Sequence, residues 1–548
     1  MKLSRTLSAL MGATALTFTA GSFALAKDVN PGKLRTATPI KHLVVIYQEN
    51  VSFDHYFGTY PNATNPVGEP PFHAKKNTPT DIDTVQNAGL LTNNPNYLNP
   101  LNGTGAANPF RLDLTQAATA DQNHSYTPEQ QAEDNGAADL FPLYTGAGTP
   151  GGVGAFGTTG QVMGYYDGNT VTALWSYAQN FAMSDNARTD GYGPSTPGAL
   201  EAVSGELNGM QLVLDTNNKT SFYVPDGQGG YTMINDVDPA YDACSSTSDA
   251  VLMSSKNIGD LLNTAGITWG SFMGGFNLSL TNPNGTTGCA RTTTSTYTGV
   301  TEVDYIPHHA WFQYYQSTSN PTHARPNGVQ DIGYTYDPGT QVVDPANHEY
   351  DINDFYAAVS AGNFPAVSYI KAPAFQDGHA GYSDPADEQY FLVKVINFLE
   401  QQPDWKNTAV IVTYDDSDGW YDHSYAFPTS ASYTSADQIN GNGVCGSGTQ
   451  PNGVNGLPVN GRCGPGVRIP FMLISPHAKK NYVSHVPITQ ASIVKFVEDN
   501  WLVGERIGEG SYDNTTGSIV DMLKSSEGNA DKLILDPQTG LPSVSKKQ

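Results

Sequence analysis

Short apolar runs alternate along this chain with longer stretches whose apolar residues recur at helical spacing. LVVIYQEN (43–50) is an apolar run that ends in polar residues, and ALWSYAQNFAMSD (173–185) carries helical spacing. Residues 257–265 read as a helix leading into ITWGSFM (267–273), and DINDFYAAVSAG (351–362) leads into AVSYIK (366–371). PADEQYFLVKVINFLEQQ (385–402) is a long amphipathic helix feeding AVIVTYDD (409–416), and RIPFMLISP (468–476) precedes a helix over about 489–501. Helix followed by buried strand, repeated, predicts an α/β fold with a largely parallel central sheet covered by helices on both faces.

Between these elements lie Gly/Asn/Pro/Thr-rich segments, roughly 60–170, 205–255, 275–350 and 425–465. Segments this long in a compact domain usually serve as lids or insertions, so they are expected to build the rim of a site. Length alone suggests two or more domains, whereas the continuous pattern suggests one domain, residues 27–548, carrying these insertions. A separate small unit within 60–170 is the alternative.

The N-terminus has a short basic region (Lys2, Arg5), an apolar stretch to Phe23 and an Ala24-Leu25-Ala26 site, and reads as a Sec-type signal peptide cleaved after Ala26. That places the protein in the periplasm or outside the cell. No later segment offers the roughly 20 apolar residues of a spanning helix, so stable membrane insertion is not expected. Lys2 and Arg5 are the only charged residues removed, which leaves 25 basic against 52 acidic and a net charge of −27. Such a chain is repelled by nucleic acid and by anionic lipid surfaces, so any phosphate it handles must meet a local positive device. The four cysteines allow three pairings in an exported protein. The sequence-local one, Cys244 with Cys289 and Cys445 with Cys463, is expected to staple two long loops.

In a parallel α/β sheet, ligands bind at the carboxyl ends of the strands. Two apolar strands end there in Glu49-Asn50 and Asp415-Asp416, gathering three carboxylates and an amide oxygen. Like charges near a dry core are costly unless a cation sits among them, and an all-oxygen set suits Ca²⁺, Mg²⁺ or Mn²⁺, although Zn²⁺ also takes carboxylates. DDSDG is no EF-hand loop: with Gly419 sixth, the twelfth position is Tyr425, where a glutamate is needed. In TDGYGPSTPGALEAVSGE (189–206), Pro197 reads as the first helical residue, Thr196 as the N-cap and Ser195 as the residue just outside. Backbone N–H groups at that helix start favour a phosphate beside Ser195, with Thr196 as the rival nucleophile. His124, His308, His309, His379 and His423 lie in polar, Gly-rich settings suited to proton transfer or phosphoryl binding. His308-His309 lacks an H-x-x-x-H partner, which excludes a zincin helix.

The blocks IKHLVVIYQENVSFDHYFGTYP (40–61), DQNHSYTPEQ (121–130), TDGYGPSTPGALEAVSG, QDGHAGYSDPADEQ (376–389) and VIVTYDDSDGWYDH (410–423) strongly resemble the bacterial phosphoesterase family of secreted phospholipases C and a secreted acid phosphatase, within the alkaline-phosphatase-like superfamily. The resemblance implies one divalent metal on Glu49, Asn50, Asp415 and Asp416. It implies Ser195 as the metal-bound nucleophile, with His124, His308, His309 and His379 lining a phosphate pocket. Phospholipase members typically show Asp-Glu at 415–416 and Pro-Asn-Arg at 197–199, and both departures here look like the acid phosphatase branch. The expected activity is therefore a broad-specificity acid phosphatase acting on small phosphate esters through a phosphoserine. A phospholipase C is the alternative, and a calcium-stabilised surface or carbohydrate-binding protein is the remote one.

Overall fold

The computed structural model describes residues 31–216, 221–524 and 532–543, so the signal-peptide reading lies outside the described residues. Eight strands form the central sheet: β1 (His42–Gln48), β2 (Ala182–Ser184), β3 (Trp269–Met273), β4 (Glu349–Asp351), β5 (Val367–Lys371), β6 (Thr408–Tyr414), β7 (Phe471–Ile474) and β8 (Tyr482–Ser484). Their order is β4-β3-β5-β1-β6-β7-β2-β8. Only β7 is reversed, pairing antiparallel with β6 and β2, while the other pairs are parallel. The fold is thus mixed α/β with a large, mostly parallel sheet, as the apolar pattern implied.

Both faces of the sheet are covered, and the register shows it. Tyr47 of β1 donates a hydrogen bond to the carbonyl of Gly198 in the helix Ser195–Ser204. Tyr414 is the register partner of Gln48, one residue on from Tyr47, so it points to the opposite face. There its hydroxyl meets Glu388 in the helix Pro385–Glu400. Every residue of β1 and β6 is buried, which is why these strands read as unbroken apolar runs.

The stretch 173–185 departs from its helical reading. The helix spans Thr172–Asn180, and Ala182–Ser184 becomes β2 between β7 and β8. Sheet pairing overrides local spacing there. The helix after Gly193 begins at Ser195 rather than Pro197. Proline is tolerated within that first turn because the early N–H groups have no intrahelical acceptor. Strands β4 and β8 have three residues each and carry no legible periodicity. Cys244–Cys289 and Cys445–Cys463 form the two expected disulfides. Among the described residues no helix is long and apolar enough to cross a membrane.

Candidate active site

Gln48 pairs with Tyr414 and Ile46 with Ile370, so β1, β6 and β5 finish level at one sheet edge. The residues that follow, Glu49-Asn50 and Asp415-Asp416, meet there, and all four are buried. Asn50 adopts φ +62°, a left-handed conformation that asparagine tolerates, and its N–H donates to Asp415 Oδ1 at 2.9 Å. Ser195 opens its helix directly against them. Its Oγ lies 2.9 Å from Glu49 Oε2, 3.2 Å from Asp416 Oδ2 and 3.3 Å from Asn50 Oδ1. Thr196 Oγ1 instead donates to the carbonyl of His308, and its N–H to Asp236.

One hydroxyl proton cannot satisfy three acceptors. Asp415 Oδ2 in addition has no hydrogen-bond partner, and burial together with Glu49 holds the Asp415 carboxyl well above its usual range. Burial and the Asp415 charge raise Asp416 in the same way. Surplus oxygen lone pairs converging in a dry site, with hard donors throughout, fit a divalent cation. The residues that can hold it are Glu49, Asn50, Asp415, Asp416 and Ser195.

A cleft of about 500 Å³ runs beside this cage, and Pro194, His124, His308, His309 and His379 all line it. Their surroundings push the four histidines in different directions. Burial opposes protonation of His124, but Asp416, Asp418 and Asp121 outweigh it and raise its pKa well above 6.5. His308, also opposed by burial, is raised by Asp238 and Asp236. His309 is driven well below 6.5 by burial and by its neighbours His308 and Lys371, although Glu49 Oε1 lies 3.3 Å from its Nδ1. Burial lowers His379 to about 4, and its Nδ1 bonds the Ala380 carbonyl at 2.5 Å, which leaves Nε2 as the acceptor of a neutral ring. His423 belongs elsewhere: it pairs with Asp54 and Asp83, outside this cleft.

Several residues of the site carried no signal strong enough to single them out. Asp418 accepts from Asn50 Nδ2 at 3.2 Å and lies 3.2 Å from His124 Nδ1, linking cage and cleft. Glu129 accepts from Gly193 N–H and from the Ser417 hydroxyl, so one carboxyl, raised by burial to about 7, holds the turn before Ser195 against the segment after Asp416. Lys371 ends β5 in contact with Glu49. A lysine closing the apolar run AVSYIK was the one available clue. Three of the four insertions contribute to the cleft walls, through 121–125, 235–236 and 306–309.

The fold and site together define an α/β protein with a helix-start serine set in an all-oxygen cage and faced by histidines. Residues 40–504 match the model of the Phosphoesterase family, and the chain belongs to that family. It is 23% identical over 481 residues to a non-hemolytic phospholipase C of Pseudomonas aeruginosa, covering 85% of this chain and 54% of that one. A phospholipase C A of Mycobacterium tuberculosis is 25% identical over 82% of this chain and 70% of its own length. The chain thus spans about half the length of the Pseudomonas relative. Among solved structures, a protein in the alkaline phosphatase superfamily from Vibrio parahaemolyticus matches 63% of this chain and 64% of its own at 13% identity, with a TM-score of 0.28.

Proposed function

We propose that this chain is an exported, metal-dependent phosphoric ester hydrolase, a broad-specificity phosphatase of monoesters that works through a phosphoserine on Ser195. The observation that carries the hydrolase reading is the convergence of Ser195 Oγ with Glu49, Asn50 and Asp416 beside a histidine-lined cleft. A divalent ion held by the cage would lower the pKa of the Ser195 hydroxyl and screen the carboxylates from the incoming phosphate.

Glu49 Oε2 is the nearest acceptor for the Ser195 proton. As the Oγ–P bond forms, the bond from phosphorus to the leaving oxygen breaks in line. His124 and His308, whose neighbours favour the charged ring, stabilise phosphoryl oxygens and supply the proton that the departing alcohol needs. His379, whose ring burial keeps neutral, takes a proton from the water that attacks phosphorus; the bond from phosphorus to Ser195 Oγ then breaks, and Oγ takes back the proton held by Glu49.

A second reading, a phospholipase C, is favoured by one feature. The cleft shares Ser125 and Asn235 with a further groove of about 530 Å³, lined by Tyr126, Pro128, Tyr223, Val224 and Ile234 and free of charged side chains. Such a groove suits an uncharged leaving group longer than a simple alcohol. Hydrolysis of p-nitrophenyl phosphate, compared with p-nitrophenyl phosphorylcholine and phosphatidylcholine vesicles, separates the two readings. Monoester turnover alone supports the phosphatase, and vesicle hydrolysis supports the phospholipase. In either case Ser195→Ala is expected to lower turnover at least 10³-fold without loss of fold. Normal turnover by that variant would remove Ser195 from its role.

A further inference from the structure

We propose that Lys371 is a built-in cation standing where a second metal ion would otherwise bind, so that the site takes one exchangeable divalent ion. This rests on the metal-dependent reading above. Lys371 is the last residue of β5 and is 1% exposed. Its ammonium contacts Glu49 Oε1 and lies 3.9 Å from Asp415 Oδ2. Glu49, His309 and Asp377 each offer a ligand atom, all within 4.8 Å of one another, which is the spacing a metal ion requires. Lys371 is drawn to both carboxylates of that group, Glu49 and Asp377, and to Asp415.

Glu49 therefore serves two centres. Oε2 faces Ser195, and Oε1 faces the ammonium and His309 Nδ1. The rings of Tyr47 and Trp311, with centroids 5.8 and 6.0 Å from Nζ, wall the ammonium in on its apolar side. Two-metal sites clamp both the attacking and the leaving oxygen. Here a covalently attached single charge stands beside Glu49 in place of a second ion. It cannot be chelated or exchanged, and it does not acidify water as a metal ion does, so Lys371 is a positioning residue that fixes Glu49 and the number of metal ions.

The test is the metal-to-protein ratio by inductively coupled plasma mass spectrometry, after the full chain is stripped with chelator and dialysed against Mn²⁺. The expected result is one Mn²⁺ per wild-type chain and two per Lys371→Met chain, with Lys371→Gln as the second variant should Met fold poorly. A wild-type ratio of two overturns the inference, as does a ratio of one in a folded Lys371 variant. A wild-type ratio of zero removes the metal-dependent reading itself, so the two failures are distinguishable.

Discussion

A Cβ added at residue 198 would lie 1.9 Å from the carbonyl oxygen of Asp415. Backbone cannot yield at that distance, so the helix carrying Ser195 reaches the end of β6 only because residue 198 is glycine. Gly198→Ala should push the helix away from the cage, and a displacement of about 1 Å is enough to cost about 10²-fold in turnover. Steady-state hydrolysis of p-nitrophenyl phosphate by the folded variant checks this, and wild-type rates would contradict it. Glycine 198 was visible in the sequence, but its reason was not, because the close approach joins residues more than 200 positions apart. The acids fared differently. Glu49, Asn50, Asp415 and Asp416 were legible because each pair follows an unbroken apolar strand, and strand ends converge in a parallel sheet.

At the scale of elements, the tail of β6 divides its charges. Asp415 and Asp416 stay with the cage, whereas Asp422 binds Arg468 at 2.8 Å and His423 Nδ1 lies 2.5 Å from Asp54 in the short helix Phe53–Phe57. The sequence offers His423 as a candidate for chemistry. The structure gives it a tie between two elements, a role that no local spacing announces. Burial disfavours its charged form, but Asp54 outweighs this and raises its pKa to about 10. The folded-state value lies above the ordinary 6.5, so its stabilisation is complete below 6.5 and is lost as pH rises through about 10. His423→Ala should cost about 3 kcal/mol at the acid end of that window, and the deficit should shrink toward the alkaline end. Urea unfolding of both proteins across the window measures it. A deficit independent of pH would show that the pair contributes packing alone. Long helices and buried strands were readable here, whereas β4 and β8, with three residues each, take their identity from neighbours in the sheet.

For the whole molecule, the charge of the chain and the chemistry of its site point the same way. An excess of acid disfavours polyanionic partners, yet one sheet edge concentrates oxygen ligands, two histidines whose acidic neighbours favour the charged ring, and a buried lysine around a single serine. The insertions were visible as long Gly- and Asn-rich segments. Which of them reach the cleft was not, because irregular segments have no period from which to infer direction. The central claim is that Ser195 takes the phosphoryl group, and rapid acid quenching of the enzyme with p-nitrophenyl phosphate, followed by peptide mass spectrometry, addresses it directly. A phosphoryl group is expected on Ser195 in the wild type and none in Asp415→Ala. Full turnover with no phosphorylated Ser195 peptide at any quench time, or with the label on a histidine, would contradict it.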